Sequence, residues 1–244
     1  MPINSLTACV LVLNDEYWLP FALESSRGHF ERYVIYDVGS TDRTKDVIHW
    51  FMESNKEADY FLREFDSIPP RQVQGVFRNS MIAEARTEWY YILDGDEVYN
   101  DLGKLTIPYS IQHKDHCPIY GVVRRCELSP DLRSRYSVYR THHRAYRRTA
   151  IFTGSHPGEI PLIEQKPSNE YQIEDVLCYH FHNTLRSSKE SEALKRDERK
   201  NQKTYHPGEL LPFNLLDAVP ILRKSIADFP VAPALRKLQD EYIV

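Results

Sequence analysis

Three acidic residues follow directly on an apolar, aromatic run near the middle of the chain. Residues 89–93 (Trp-Tyr-Tyr-Ile-Leu) lead into Asp94-Gly95-Asp96-Glu97. Such a run predicts a buried strand whose end delivers the carboxylates into a cleft. Because carboxylate oxygens suit hard divalent cations, two aspartates separated by one glycine predict a site for Mg²⁺ or Mn²⁺. The alternative is a solvated acidic turn that binds nothing.

Two histidines near residue 180 form the second group with suitable chemistry. His180 and His182 lie two residues apart, so both side chains point to one face of an extended strand. A neutral imidazole can complete the ligands of a metal held by Asp96, or it can bond a diphosphate. The sequence does not decide which histidine binds, and an ordinary core or surface role is the alternative for both.

The elements that must position these groups alternate between strand and helix in the first part of the chain. Strand and helix patterns follow one another at 6–13, 18–27, 33–36, 41–54, 60–63 and 73–85, and in the strand that ends at Asp94. This alternation predicts a parallel α/β sheet, in which ligands bind beyond the carboxyl ends of the strands. Side chains expected at those ends are Asn14, Asp37 and the acids from Asp94 to Glu97.

The second half of the chain has a different pattern. Strands are predicted at 119–127, 136–139, 143–148 and 177–181, a charged helix at 187–204, and two further helices at 215–229 and 232–241. We therefore expect one domain over residues 1–205, with halves 1–100 and 101–205. A Pro-rich helical extension over 206–244 follows this domain. The extension is expected to pack on the domain, to pair subunits or to contact a membrane.

The bulk composition excludes several classes of protein. The 244 residues are 41% hydrophobic with a net charge of −4, which predicts a packed core and argues against a general nucleic-acid binder. Four cysteines without a Cys-x-x-Cys pair argue against a thiolate zinc site and favour a reducing compartment. The sequence has neither a basic leader nor a run of about 18 apolar residues, so we expect no signal peptide and no membrane span. The expected location is the cytoplasm, and peripheral contact with a membrane is left open.

Four segments carry a resemblance to a known family. They are 11–19 (Leu-Val-Leu-Asn-Asp-Glu-Tyr-Trp-Leu), 35–44 (Ile-Tyr-Asp-Val-Gly-Ser-Thr-Asp-Arg-Thr), 78–97 (from Arg-Asn to Asp-Gly-Asp-Glu) and 180–187 (from His-Phe-His to Arg-Ser). In order and spacing they resemble the motifs of family 2 glycosyltransferases with the GT-A fold, in particular the small metal-dependent bacterial and viral members. Val38 departs from that family, which often has a second aspartate there, so the preferred nucleobase is left open.

The resemblance implies a fold and an activity. The implied fold is α/β, a GT-A (Rossmann-like) mixed and mainly parallel sheet flanked by helices, here with a helical C-terminal tail. The implied activity is metal-assisted, inverting transfer of a sugar from a nucleotide-diphospho-sugar to a hydroxyl acceptor. UDP is the usual nucleotide of such enzymes, and a glycan or a lipid-linked molecule is the expected acceptor.

The resemblance also implies roles for the residues that match its motifs. Asp96 is the expected direct ligand of Mn²⁺ or Mg²⁺, together with His180 or His182. The resemblance leans towards His180, because its motif has an aromatic residue directly after the histidine. Asp94 is expected to contact the ribose or the donor sugar, and Asp37 the nucleobase. The other donor-side residues are Asn14, Glu16, Ser40 and Arg78, of which Arg78 either reaches a phosphate or pairs with a carboxylate.

An inverting transferase needs a general base for the acceptor hydroxyl. The Gly- and Pro-rich segment 153–159 follows a predicted strand and contains a histidine and a glutamate. Glu159 is the first candidate for the base. His156 is the second, with contact to a phosphate or the acceptor as its other role, and Glu97 beside the metal is the third.

Eight arginines between residues 123 and 148 leave two interpretations open: Arg124, Arg125, Arg133, Arg135, Arg140, Arg144, Arg147 and Arg148. On alternating strands about half of them share one face. They either border the cleft and favour an anionic acceptor, or they form a strand face balanced by nearby acids.

Two other functions compete with sugar transfer. A phosphotransferase would use Asp94 as a nucleophile, but it leaves Asp37 and the Gly-Ser-Thr-Asp turn unexplained. A non-catalytic nucleotide- or carbohydrate-binding protein on a transferase scaffold is the third possibility, and the Val38 substitution permits it.

Overall fold

The computed structural model describes residues 6–66, 74–102, 120–148, 151–153, 160–162, 170–191 and 208–242. The strands in these ranges are β1 (Leu6–Val12), β2 (Arg32–Asp37), β3 (Asp59–Glu64), β4 (Trp89–Asp94), β5 (Glu97–Tyr99), β6 (Tyr120–Glu127), β7 (Ser134–Tyr136), β8 (Arg140–Arg147), β9 (Ile151–Thr153), β10 (Ile160–Leu162), β11 (Glu170–His180) and β12 (Leu210–Pro212). Eight of them form one mixed sheet in the order β3-β2-β1-β4-β8-β6-β11-β5.

The first half of the sheet is parallel, as the alternating pattern predicts. β1 pairs in parallel with β2 and β4, and β2 pairs in parallel with β3. The helices α1 (Leu19–Ser26), α2 (Thr44–Ser54) and α3 (Gln74–Glu84) connect these strands. Every residue of β2 is buried, which agrees with the continuous apolar runs of strands covered on both faces.

The second half continues the same sheet with mixed pairing. β8 is antiparallel to both β4 and β6, whereas β11 is parallel to β6 and antiparallel to β5. In this arrangement His180 at the end of β11 pairs with Glu127 on one side and Glu97 on the other. The end of β11 therefore lies among the acidic ends of its neighbours.

Three predicted elements differ from the structure. The strand predicted at 136–139 is β7, which ends at Tyr136. In place of the helix predicted at 215–229, the structure has the short helix α4 (Leu215–Ala218) and a separate 3-10 turn over Pro220–Arg223. The α-helix ends before Pro220 because proline lacks the N–H that an α-helix requires. The described start of the helix predicted at 187–204, residues 187–191, contains turns and bends, and the remainder lies outside the described residues.

The last predicted helix is confirmed as α5 (Pro233–Tyr242). Apolar residues of the tail join the core cluster that contains Trp18 and Phe181: Leu215, Leu216, Leu222 and Leu235. The described part of the tail therefore packs on the domain. Within the described residues, no helix has the length and apolar character that a membrane span needs.

Trp18 ties the first loop to the segment that follows β11. Its ring is fully buried and stacks on Phe181 with ring centroids 3.8 Å apart. Its Nε1 donates to the carbonyl of Leu185 at 2.8 Å, and the neighbouring Tyr17 amide donates to the carbonyl of Arg186 at 3.0 Å. Residues 180–186 are thereby fixed against the carboxyl end of β1.

Replacing Trp18 is expected to destabilise this junction. Trp18→Ala should lower the free energy of unfolding by about 3–5 kcal/mol, because it opens a cavity beside Phe181. Trp18→Phe keeps a ring and loses the hydrogen bond, so it should cost less. Urea denaturation of both variants measures the difference, and a loss below about 1 kcal/mol for Trp18→Ala would contradict this account.

Candidate metal and nucleotide site

Three of the predicted ligands come together at the carboxyl end of the sheet. Asp96, His180 and His182 place one ligand atom each within 4.8 Å of one another. Asp96 follows β4, and its Oδ2 lies 3.5 Å from His180 Nε2. The two imidazole rings stack with centroids 5.3 Å apart and an angle of 18° between their planes. One carboxylate and two imidazoles are a donor set that fits a divalent metal ion.

The electrostatic environment of Asp96 favours its ionised form. Burial raises the pKa of the carboxyl, but Arg186 and His180 outweigh burial and hold the pKa well below its ordinary value. Burial lowers the pKa of His180, but Glu127 and Asp96 reverse this and raise the pKa to about 9. Without a metal, Asp96 is thus balanced by an imidazolium and a guanidinium.

Asp94 lies outside this ligand group and is held by two arginines. Its Oδ1 accepts a hydrogen bond from Arg78 at 2.9 Å, and its Oδ2 accepts one from Arg144 at 2.7 Å. Burial raises the pKa of Asp94, but Arg144 and Arg78 outweigh burial, so the pKa is lowered. Of the two interpretations of Arg78, the structure has the pairing with a carboxylate.

Glu97 has the environment of a structural carboxylate. Its side chain is fully buried, pairs with Arg144, accepts a hydrogen bond from the Tyr99 hydroxyl at 2.9 Å and lies 3.4 Å from His142 Nδ1. Burial raises its pKa, but Arg144 and His142 lower the pKa well below its ordinary value. A buried and acidified carboxylate is a poor general base, so this geometry argues against the third candidate for that role.

The first two loops form one hydrogen-bonded unit around Asp37. Asp37 Oδ1 accepts from the amides of Gly39 at 2.9 Å and Ser40 at 2.7 Å. The Ser40 hydroxyl accepts from the backbone amide of Asn14 at 2.9 Å. The side-chain Oδ1 of Asn14 accepts from the backbone amide of Thr41 at 2.8 Å. Asp37 Oδ2 is buried and has no hydrogen-bond partner among the described residues.

Glu16 has a bracing role between loops. Its Oε2 accepts from the Arg43 amide at 3.1 Å, and its Oε1 accepts from the Ser188 amide at 2.7 Å. Asp42 stabilises the turn before α2, since its Oδ1 accepts from the Thr44 amide at 2.9 Å. These contacts hold the loops that carry Asn14 and Ser40.

Sequence reasoning missed Asp15, Arg186 and Glu127. Asp15 is fully buried and pairs with Arg186, whose Nε also lies 3.7 Å from Asp96 Oδ2. Burial raises the pKa of Asp15 to about 6, and Arg186 partly offsets the effect. Glu127 accepts from His180 Nδ1 at 2.8 Å. A charged residue at an inward position of a half-buried strand was the available signal for Glu127.

Arginines of the dense stretch are mostly paired in the structure. Arg125 and Arg144 form ion pairs with buried glutamates, and Arg147 pairs with Glu88. Arg124 and Arg135 lie over the ring of Tyr139. These contacts agree with a strand face balanced by its neighbours, and an anionic acceptor stays a prediction.

The general-base candidates Glu159 and His156 lie outside the described residues. The strand before their segment is tied to α3 by Asn79, whose Nδ2 donates to the Phe152 carbonyl at 2.9 Å and whose Oδ1 accepts from the Phe152 amide at 2.7 Å. A side-chain amide thus pairs with β9 as a neighbouring strand would.

The element order, the mixed sheet and the site at its carboxyl edge define a GT-A, Rossmann-like α/β fold. The chain is similar to the mannosyltransferase PcManGT from Pyrobaculum calidifontis in complex with GDP-Man and Mn²⁺, with 14% identity, a TM-score of 0.50, and coverage of 98% of this chain and 79% of that chain. The fold assignment rests on this likeness.

Two other structures are more distant. S. aureus TarS 1-349 is 15% identical with a TM-score of 0.42, over 59% of this chain and 47% of that chain. Glucosyl-3-phosphoglycerate synthase from Mycobacterium tuberculosis is 14% identical with a TM-score of 0.33, over 52% of this chain and 44% of that chain. In a second structure of S. aureus TarS, which contains a longer chain, this chain covers only 22% of that chain. No protein-family model matches the chain, and no curated protein sequence matches it significantly.

Gly95 separates the two aspartates for a steric reason that can be tested. A Cβ at this position would lie 2.8 Å from Asp15 Oδ2, and Asp15 is held by Arg186. Gly95→Ala should therefore destabilise the fold by about 1–3 kcal/mol through overpacking.

A double-mutant cycle separates this contact from other effects of alanine. In an Asp15→Ala background, where the clashing oxygen is gone, Gly95→Ala should cost much less free energy of unfolding. Equal costs in both backgrounds, measured by chemical denaturation, would show that Asp15 does not impose the glycine.

Proposed function

We propose that this protein is a metal-dependent glycosyltransferase that moves a sugar from a nucleotide-diphospho-sugar to a hydroxyl acceptor with inversion. The observation that carries the proposal is the cluster of Asp96, His180 and His182 beyond the parallel strands of a GT-A fold, beside the Asp37 loop. UDP is the first nucleotide to test, and a glycan or a lipid-linked molecule is the proposed acceptor.

The proposed metal ligands are Asp96 with His180 or His182. When bound, Mn²⁺ or Mg²⁺ would stabilise the charge that develops on the leaving diphosphate, as a Lewis acid. Imidazole nitrogen is a poorer ligand for Mg²⁺ than for transition metals, so the histidines favour Mn²⁺ over Mg²⁺. The pairing of Arg186 with both Asp15 and Asp96 supports a further contribution of this guanidinium to charge balance at the diphosphate.

In the proposed arrangement residues 1–100 bind the donor. Asp37 would accept a hydrogen bond from the nucleobase through Oδ2, while Asn14 and Ser40 shape the loop around it. Asp94, oriented by Arg78 and Arg144 and 28% exposed in its side chain, would accept from a hydroxyl of the ribose or donor sugar. Each role uses an oxygen whose surroundings are described above.

Residues 101–205 would border the acceptor, and residues 206–244 would form the helical extension. Glu159 remains the proposed general base and His156 the second candidate, on the strength of their sequence context. Asn79 supports this proposal because it anchors β9, the strand directly before their segment.

The geometry disfavours the phosphotransferase. Arg78 and Arg144 each bond one oxygen of Asp94, which stabilises the carboxylate charge and makes it a poorer nucleophile, although each oxygen keeps a lone pair that can accept from a hydroxyl. A non-catalytic binding protein would bind the nucleotide as the transferase does, but it would not transfer the sugar. Binding and turnover must therefore be measured separately.

Nucleotide binding should depend on the metal and on Asp96. A thermal unfolding panel of UDP, GDP and CDP with and without Mn²⁺ should show stabilisation by one base, and a ligand at about 100 times its dissociation constant adds about 2.7 kcal/mol. GDP belongs in the panel because PcManGT, of the same fold, was solved with GDP-Man. Asp96→Asn should lose the Mn²⁺-dependent part of the shift.

The control for this panel is Asp131→Asn, a hydrogen-bonded carboxylate in the turn after β6, which should keep the shift. No stabilisation by any nucleotide would contradict the proposal. Stabilisation without release of nucleoside diphosphate from any nucleotide-sugar would favour the non-catalytic binding protein instead.

Asp37→Asn should weaken nucleotide binding without weakening metal binding. The amide oxygen can still accept from the amides of Gly39 and Ser40, but the group at Oδ2 becomes a donor and can no longer accept from a base. An unsatisfied buried polar group costs about 1–3 kcal/mol, so the dissociation constant should rise roughly 5- to 150-fold. Calorimetric titration measures both ligands, and an unchanged nucleotide affinity would refute the assigned role.

A further inference from the structure

His180 is held on the side away from Asp96 by a buried carboxylate. Glu127 Oε2 lies 2.8 Å from His180 Nδ1, and His180 Nε2 lies 3.5 Å from Asp96 Oδ2. The imidazole therefore bridges two carboxylates through its two nitrogens. Glu127 is 2% exposed, so this contact is shielded from water.

The sheet itself enforces the contact. β6 and β11 are parallel neighbours, and Glu127 and His180 are direct partners in their pairing. The second oxygen of Glu127 forms an ion pair with Arg125 Nε at 2.7 Å, and Arg125 Nη1 lies 3.0 Å from His142 Nδ1. The histidine contact and the ion pair use different oxygens of Glu127, so together they restrict the orientation of its carboxylate.

We propose that Glu127 is a positioning residue that selects His180 as the metal-binding histidine. Its carboxylate accepts a hydrogen bond from Nδ1–H of the neutral imidazole. The lone pair of the ring is then on Nε2, beside Asp96. Carboxylate–histidine pairs of this kind fix the tautomer and the ring orientation of metal ligands. The inference rests on the proposed metal-dependent function and deepens it, because it assigns the ligand that the sequence left open between two histidines.

The test is a Mn²⁺ titration in which electron paramagnetic resonance counts the free aqueous ion. Removing such a partner typically weakens metal binding about 10- to 100-fold, so Glu127→Gln should raise the Mn²⁺ dissociation constant by at least about tenfold. Asp131→Asn removes a hydrogen-bonded carboxylate four residues along the chain and should leave the constant within about twofold of wild type.

A double-mutant cycle identifies the histidine through which Glu127 acts. Glu127→Gln should have no further effect on the Mn²⁺ dissociation constant in a His180→Ala background, but it should keep its full effect in a His182→Ala background. The nitrogen coupling in the Mn²⁺ spectrum should disappear with His180→Ala. A role confined to folding would not produce this dependence on one histidine.

The outcomes are distinct. A wild-type Mn²⁺ affinity in Glu127→Gln, or an equal loss in both histidine backgrounds, would overturn the inference while leaving the metal site intact. Failure of the wild-type protein to bind Mn²⁺ would refute the proposed function itself. If Glu127→Gln does not fold, Glu127→Asp withdraws the carboxylate by one methylene and keeps its charge for Arg125, and the same weakening is expected.

Discussion

Crowding of buried carboxylates is the constraint on which the rest of this structure depends. Asp15, Asp96 and Glu97 are all buried at one end of the sheet, with Asp94 beside them. Two like charges about 4 Å apart repel by roughly 4 kcal/mol at the effective dielectric of a protein. The acids are tolerated only because Arg144, Arg186 and the histidines lie among them, and removing one partner of a buried pair costs about 3–5 kcal/mol.

These cations explain why the two halves of the chain form one sheet. Asp15, Asp94 and Asp96 end or follow strands of the parallel half and Glu97 begins β5, whereas Arg144 lies on β8, His180 ends β11, and Arg186 follows it. The second half thereby supplies most of the cations that balance this acidic edge, beside Arg78 of α3. In the proposed function, a divalent cation would take over the balancing of Asp96 that the imidazolium and guanidinium provide without it.

The alternating pattern of strands and helices predicted the parallel strands, whose carboxyl ends converge at one edge. The grouping of Asp96 with the histidines came from the order of the motifs in the family that the sequence resembles. Local pattern failed where a single residue decides, as at Pro220, which ends the predicted helix. The supporting contacts were out of reach, since Asp94 to Arg144, His180 to Glu127 and Asp15 to Arg186 join residues 50, 53 and 171 positions apart. Such pairs depend on the strand order of the mixed half, which no local period encodes.

We propose that the carboxyl end of this sheet binds a metal through Asp96 and His180. Anomalous X-ray scattering from a crystal grown with Mn²⁺ and a nucleoside diphosphate tests it most directly. If these residues hold the metal, one strong manganese peak should lie within bonding distance of Asp96 Oδ2 and His180 Nε2. A nucleotide bound without manganese at these atoms, or manganese bound only elsewhere, would contradict it.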